Sequence, residues 1–84
     1  MLYRIFTEAK NQKQIEKLAS KAFPGFTIFK AAGFWRLQKE KSLILEIITE
    51  EPGVKIEKLA RDIKAANKQE AVLIQRIRNK QWLV

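Results

Sequence analysis

The alternation of apolar and polar positions along the chain predicts four strands. Residues 2–7 are apolar, aromatic and β-branched, which is typical of a strand. Residues 26–32 and 42–49 have the same character, and residues 71–77 form a fourth apolar segment. Between them the apolar residues follow a helical spacing instead, so the sequence predicts the element order β-α-β-β-α-β.

Two helices are predicted in the intervening segments. The first begins at Asn11, which we predict to be its N-cap with Gln14 completing a capping box, and it ends at Pro24-Gly25. The second follows Pro52-Gly53 and ends at Asn67. The apolar face of each helix recurs at spacings of three and four, and its members are Ile15, Leu18, Ala19, Ala22 and Phe23 in the first helix and Ile56, Leu59, Ala60, Ile63 and Ala66 in the second.

This element order predicts an α+β ferredoxin-like sandwich, with a single domain over residues 1–84. Each helix joins two strands that can lie parallel through a right-handed crossover. In the ferredoxin-like βαββαβ fold the sheet has four antiparallel strands in the order 4-1-3-2, and both helices cover one face. Gly33 predicts a bend or bulge near the end of the second strand, and residues 36–41 are predicted to form an exposed connection.

Both faces of the predicted sheet are apolar. In the first strand Leu2 and Phe6 lie on the face opposite Ile5, and residues 43–48 carry apolar side chains on both faces. A large uncovered apolar patch is unusual on a small monomer, so we expect the chain to form a homo-oligomer through its sheet. The alternative is that the C-terminal tail around Trp82 folds back over the sheet.

The amino-acid composition excludes several kinds of metal-binding and catalytic site. The 84 residues include 17 Lys or Arg and 9 Asp or Glu, which gives a net charge of +8, and 46% are hydrophobic. Cysteine and histidine are both absent, which excludes disulfides, Cys/His metal sites and imidazole-based triads. We expect no metal site, no cofactor and no membrane partner, and in the absence of an export signal we expect the cytoplasm.

The positive charge is concentrated in the first half of the chain. Residues 1–42 hold 9 basic and 3 acidic side chains. Four of the lysines project opposite the apolar face of the first helix, and like charges four residues apart repel each other. We therefore predict an anion-binding or nucleic-acid-binding stripe, and the alternative is a face that only keeps the protein soluble. Its members are Lys10, Lys13, Lys17 and Lys21.

Two further groups of basic residues are candidates for the same surface. Arg36, Lys39 and Lys41 crowd the connection between the second and third strands. Arg76, Arg78 and Lys80 alternate along the last strand, where an extended backbone would place them on one face and suit phosphate oxygens or carboxylates. The alternative for these three residues is protection of an edge strand against unwanted pairing.

Other functions have less support in the sequence. An RNA-recognition motif stacks bases on sheet aromatics, but residues 42–49 contain none. Phe34-Trp35 can stack a base, although hairpin packing or an interface anchor is the more common use of such a pair. The chain has no glycine-rich phosphate loop and no histidine, so we expect no enzyme, although a serine activated by a lysine stays open.

Four short sequence motifs follow one another along the chain. They are Phe23-Pro24-Gly25-Phe26-Thr27, Gly33-Phe34-Trp35, Lys39-Glu40-Lys41-Ser42 and Gln69-Glu70-Ala71-Val72-Leu73. This order, over residues 22–74, is similar to the pattern of a small uncharacterised family and resembles the PII-like and CutA-like branch of ferredoxin-like folds. The polar or special positions that match are Gly33, Trp35, Glu40, Ser42, Gln69 and Glu70.

This resemblance implies an assembly and a ligand class. PII-like and CutA-like proteins commonly form trimers through their sheet faces, and signalling relatives bind small anions such as nucleotides between subunits. We therefore expect a non-enzymatic homo-oligomer, with a trimer favoured, whose basic surface binds an anionic ligand or an acidic protein. The alternative is sequence-nonspecific nucleic-acid binding, of the kind found in short phage or mobile-element proteins.

Overall fold

The computed structural model describes residues 1–78, and of Trp35 it describes the backbone alone. The predictions for Lys80 and for the tail around Trp82 lie outside these residues. The elements follow the predicted order, and they are β1 (Leu2–Glu8), α1 (Gln12–Ala22), β2 (Thr27–Trp35), β3 (Gln38–Ile48), α2 (Gly53–Asn67) and β4 (Leu73–Ile77).

The four strands form one sheet in the order β2-β3-β1-β4, and every neighbouring pair is antiparallel. Read from the other edge this is the order 4-1-3-2, so the ferredoxin-like α+β topology is confirmed. Ile5 in β1 lies opposite Leu45 in β3 and Ile74 in β4. The alternation of side chains then places Tyr3, Ile5 and Thr7 on one face, and Leu2 and Phe6 on the other as predicted.

The core lies between that face and the two helices. Ile5, Leu45, Ile15 and Ile56 are completely buried, because strand residues at period two meet helix residues at spacings of three and four. In α2 the buried positions include Asn67, whereas the predicted Ala66 is only half-buried. The core cluster consists of Tyr3, Ile5, Ile15, Ala19, Phe23, Leu43, Leu45, Ile47, Ile56, Leu59, Ala60 and Ile63.

The start of α1 differs from its prediction. Asn11 is the N-cap, but it adopts the left-handed conformation with a φ of 56° and makes no side-chain capping hydrogen bond. Its Nδ2 instead donates to Asn67 Oδ1 at 3.1 Å, so the amide is not available to complete a capping box with Gln14. The predicted capping box is therefore wrong. Lys10 precedes the helix, so it does not belong to the helical stripe.

The end of α2 is as predicted. The helix ends at Asn67, and Lys68 closes it in the left-handed conformation with a φ of 53°. The Gln69 N–H donates to the Lys64 carbonyl oxygen at 3.0 Å, which satisfies one of the carbonyls left open at a helix C-terminus.

β2 and β3 form a longer hairpin than the sequence predicted. The turn consists of Arg36 and Leu37 alone, and both have positive φ angles, of 48° and 65°. Gly33 pairs regularly with Glu40, so the predicted bend or bulge at that glycine is wrong. The predicted exposed connection over residues 36–41 is mostly strand β3.

The far half of this hairpin extends beyond the rest of the sheet. The pairing of β1 with β3 ends where Glu8 meets Ser42, whereas β2 and β3 continue to pair as far as Trp35 and Gln38. We call residues 32–41 the hairpin arm. Phe34 is 73% exposed on it, and Leu37 at its tip is fully exposed.

The sheet face without helices, which we call the open face, is apolar with one polar row. By register, a row of Phe29, Ile44, Phe6 and Leu73 crosses all four strands. The next row is polar, and the third is again apolar. The polar row consists of Thr27, Glu46, Arg4 and Gln75, and the third row of Ile48, Leu2 and Ile77. The predicted two-sided apolar sheet is therefore present, with an ion pair at its centre.

Neither helix in residues 1–78 has the length and apolar character needed to cross a membrane.

Candidate anion-binding groove

A groove of about 660 Å³ lies between the start of α1 and the hairpin arm. Four lysines line it, and among the described residues its lining contains no acidic side chain and no arginine. We call it the lysine groove. Its lysines are Lys10, Lys30, Lys39 and Lys41, and the remaining lining residues are Ala9, Asn11, Gln12, Ala31, Ala32, Ser42 and Leu43.

The register of the hairpin explains why three of the lysines converge. Lys39 and Lys41 are two residues apart on β3, so they lie on the same face, about 7 Å apart along the strand. Lys41 pairs with Ala32, and Lys30 lies two residues before Ala32 on β2, so Lys30 is the diagonal neighbour of Lys41. All three therefore lie on the face that β2 and β3 turn towards the helices.

Lys10 reaches the groove from the opposite wall. It lies in the connection between β1 and α1, which a hydrogen bond from the Ala9 N–H to the Lys41 carbonyl oxygen holds against β3 at 3.2 Å. The Nζ of Lys10 lies 3.0 Å from a carboxylate oxygen of Glu8. Lys10 is thus partly neutralised, while its position at the rim is fixed by backbone contacts.

The other three lysines of the groove differ from Lys10 in their ion pairing. Within residues 1–78, no carboxylate lies at ion-pair distance from Lys30, Lys39 or Lys41. The lysine groove is therefore a concentration of uncompensated positive charge, which attracts anions.

Helix α2 shows the opposite arrangement. Lys58 Nζ lies 3.0 Å from Asp62, and Arg61 lies 3.7 Å from Glu57, because residues four apart are neighbours on a helix surface. Most of the charge on this helix is paired within the helix itself.

The start of α1 adds to the positive potential of the groove. No acidic side chain lies in the first turn, and no side chain caps the helix. The first N–H groups of a helix carry partial positive charge, so they reinforce the lysines rather than oppose them.

The remaining lysines of the predicted helical stripe lie elsewhere. Lys13, Lys17 and Lys21 are exposed on α1. Lys21 lines a separate, smaller groove between the two helices, together with Lys55 and Lys58. No ion pair joins the three stripe lysines to an acidic side chain in the part of the chain that the structure describes.

The predicted arginines do not join the lysine groove. Arg36 occupies the tip of the hairpin and is not part of the lining. Arg76 lies on β4 and Arg78 directly follows it, at the edge of the sheet opposite β2. The predicted basic surface therefore divides into a groove, a helix face and a distant edge, because the sheet order separates β2 from β4.

Lys30 is not among the residues that the sequence pattern predicted for this surface. It is the single charged residue in an otherwise apolar and small strand segment, so it did not stand out as part of a cluster. The signal that would have found it is the register of the hairpin, since pairing Lys30 with Leu43 places it next to Lys41.

The motif residues lie mainly on the other side of the hairpin. By register, Gly33, Glu40 and Ser42 share the open face, opposite the three hairpin lysines, and the backbone of Trp35 pairs with Gln38. Glu40 and Ser42 also line a second groove, of about 440 Å³, together with Gln69. Glu70 is exposed in the connection between α2 and β4.

A polar network supports the end of the sheet next to the lysine groove. Asn67 is 2% exposed, and its Nδ2 donates to Gln69 Oε1 at 3.0 Å and to Thr7 Oγ1 at 3.3 Å. Thr7 Oγ1 in turn donates to Gln69 Oε1. Because Asn67 Oδ1 accepts from Asn11, the network connects the end of α2 to the start of α1.

The acidic residues are scattered. No group of three or more Asp or Glu side chains within residues 1–78 is arranged to hold a metal ion. The buried side-chain nitrogen and oxygen atoms of the same residues all have hydrogen-bond partners.

A solved structure shares this fold. It is the crystal structure of a DUF3240 family protein from Shewanella baltica OS155, with a TM-score of 0.69 and 17% sequence identity. The match covers 99% of this chain and 94% of the other. At this identity the likeness shows the fold alone. No protein-family model and no curated protein gave a significant match, and the resemblance to PII-like and CutA-like proteins is not confirmed.

Proposed function

We propose that the protein is a cytoplasmic, non-enzymatic, homo-oligomeric binding module whose basic surface receives an anionic ligand or an acidic protein partner. The observation that carries this proposal is the uneven pairing of charge. Lys30, Lys39 and Lys41 line a groove and have no carboxylate partner within residues 1–78, whereas Lys58 and Arg61 on α2 each have one. Like charges gathered in a concave site stabilise a bound anion.

The open face supports the oligomeric part of the proposal. Phe29 is 45% exposed, Ile48 51% and Leu73 59%, and all three belong to the apolar rows of that face. Apolar rows of this extent gain stability when a second copy covers them. The resemblance to PII-like and CutA-like proteins favours a trimer.

Phe29→Glu tests the assembly because it places a charge at the β2 end of an apolar row, on a side chain that is 45% exposed. The matched control is Val54→Glu, since Val54 is 70% exposed at the start of α2, on the opposite side of the sheet. We expect light scattering to give an oligomer for the wild type and for Val54→Glu, and a monomer for Phe29→Glu. A monomer mass for the wild type across micromolar concentrations would contradict the proposal.

Binding is tested with anionic probes of different chemistry. Fluorescence anisotropy at low salt would compare a labelled poly-glutamate peptide with labelled phosphate compounds and duplex DNA. The proposal expects the peptide or a small phosphate compound to bind in a saturable way. Absence of binding to every probe would contradict it.

A second candidate is sequence-nonspecific nucleic-acid binding, which the unpaired lysines of α1 favour. Lys13, Lys17 and Lys21 lie along one exposed helix face, and a phosphate backbone can follow such a row. For duplex DNA the logarithm of the binding constant would then fall with the logarithm of the salt concentration, with a slope of about −0.9 per neutralised phosphate. A shallow slope would contradict nucleic-acid binding and favour the binding of an anionic ligand or an acidic protein.

A further inference from the structure

The lysine groove has a narrower ligand preference than the basic surface as a whole. We propose that it binds a small compound with two or more linked phosphate groups. The inference rests on the proposed binding function and assigns it to one site, formed by Lys10, Lys30, Lys39 and Lys41.

The arrangement of the cations favours a phosphate group, whose oxygens point in several directions, over a planar carboxylate. No arginine is among the lining residues, so no lining side chain offers the rigid fork that pairs with a carboxylate or with one edge of a phosphate group. A lysine ammonium group has three rotatable donors and acts as a point charge. Several such groups converging from two walls can satisfy the oxygens of a phosphate group from different directions.

The amount of unpaired charge indicates more than one phosphate group. Lys30, Lys39 and Lys41 have no carboxylate within ion-pair distance in residues 1–78, and Lys10 is shared with Glu8. A single oxyanion at one end of the groove would leave the remaining lysines repelling one another. A chain of linked phosphates places negative charge beside each of them.

The shape of the groove favours a compact ligand over a polymer. Its volume of about 660 Å³ lies within the range of small-molecule sites, and the start of α1 and the β2–β3 hairpin bound it on two sides while it stays open to solvent. Ala9, Ala31 and Ala32 contribute short side chains to the lining, so a ligand can approach the backbone closely. Lys13, Lys17 and Lys21 of α1 are not among its lining residues.

The decisive experiment measures binding of pyrophosphate and tripolyphosphate to the full chain by isothermal titration calorimetry. The test variant carries Lys39→Gln and Lys41→Gln. The matched control carries Lys17→Gln and Lys21→Gln, which removes the same charge from exposed positions on α1. Citrate and sulfate serve as carboxylate and single-oxyanion ligands. Circular dichroism and thermal melting check that all variants fold.

We expect tripolyphosphate to bind the wild type and the control variant equally. The test variant should lose at least about tenfold in affinity, since each charge-assisted hydrogen bond is worth about that factor. Tripolyphosphate should raise the melting temperature of the wild type and not that of the test variant. Citrate and sulfate should bind at least about tenfold more weakly, because they lack linked phosphates.

Three results would overturn the inference. Equal affinity of the test variant and the wild type for tripolyphosphate would show that this anion binds to another part of the surface and not in the lysine groove. Equal affinity for citrate would remove the phosphate preference. Binding of duplex DNA that both double variants weaken to the same degree, without binding of tripolyphosphate, would favour the nucleic-acid alternative.

Discussion

The Nε of Arg4 lies 3.0 Å from a carboxylate oxygen of Glu46, directly across the pairing of β1 with β3. This ion pair occupies the middle of the open face, between rows that contain Ile44 and Ile48. The Arg4 side chain is 38% exposed and that of Glu46 24%. In a single chain solvent screens the pair, whereas a second copy over the face would remove that solvent.

The coupling between Arg4 and Glu46 should therefore depend on assembly. A double-mutant cycle with Arg4→Ala, Glu46→Ala and both together measures it by chemical denaturation. At concentrations where the protein is monomeric we expect a coupling of about 0.2–1 kcal/mol, the range of partly exposed ion pairs. Where copies cover the face we expect about 2 kcal/mol or more, because removal of one partner leaves a buried charge. The same coupling at both concentrations would show that the face stays solvated.

Asn67→Ala should destabilise the fold. Asn67 is almost completely buried, and its amide makes hydrogen bonds to Asn11, Gln69 and Thr7. Loss of this side chain leaves buried polar atoms without partners, which costs about 1–3 kcal/mol of unfolding free energy. Urea denaturation measures the change. Lys64→Ala, at an exposed position in the last turn of the same helix, is the control and should change stability by less than about 0.5 kcal/mol. A similar loss in both variants would contradict a special role for the network.

The sequence predicted the number, type and order of the elements because apolar periodicity carries that information locally. It did not predict that Asn11 would hydrogen-bond to Asn67, because the two residues are 56 positions apart in the chain. The local sequence indicated a capping box at Asn11, but the Asn11 side chain makes its hydrogen bond to the end of the other helix instead. The bend predicted at Gly33 is also absent, because the backbone of Gly33 pairs regularly with Glu40 on the neighbouring strand.

Leu37→Gly should stabilise the hairpin. Leu37 has a φ of 65°, and its side chain is fully exposed. A left-handed conformation costs an ordinary residue about 1–2 kcal/mol, and glycine avoids this cost. Glycine also loses more entropy on folding, so we expect a net gain of about 0.5–1 kcal/mol in unfolding free energy.

Thermal denaturation measures the effect at the hairpin tip. Leu73→Gly is the matched control, because Leu73 is 59% exposed but lies in strand β4, where glycine weakens a sheet. The two variants should shift the melting temperature in opposite directions. A decrease in both would mean that Leu37 contributes a contact that outweighs its backbone strain.

The candidate site was predictable only in part. Lys39 and Lys41 were identified because they are close in sequence, and Lys10 was identified for a helical position that it does not occupy. Lys30 joins them through strand pairing, which depends on the register of the whole hairpin. Arg76 on β4 is separated from Lys39 and Lys41 on β3 by strand β1, and the order of the sheet decides this. Charge clusters within one element are thus visible in a sequence, whereas clusters between elements require the topology.

Removal of one groove lysine should stabilise the ligand-free protein. Lys41 lies about 7 Å from Lys39 and is a diagonal neighbour of Lys30, without a carboxylate partner in the described residues. Two ammonium groups about 7 Å apart in water repel each other by about 0.6 kcal/mol, and a larger separation of the side-chain ends lowers this value, so Lys41→Gln should gain no more than about 1 kcal/mol at low ionic strength. The gain should vanish near 1 M salt, where the screening length is about 3 Å.

Urea denaturation in phosphate-free buffer measures this gain. Lys58→Gln is the control of equal charge, and because Lys58 pairs with Asp62 at 3.0 Å it should leave stability unchanged or lower it slightly. If the two variants change the unfolding free energy in opposite directions at low salt and by similar amounts at high salt, the groove lysines repel one another. A bound anion would then reduce this repulsion. A loss of stability in Lys41→Gln would mean that this lysine has a favourable contact within the folded chain, and the argument for an anion there would fail.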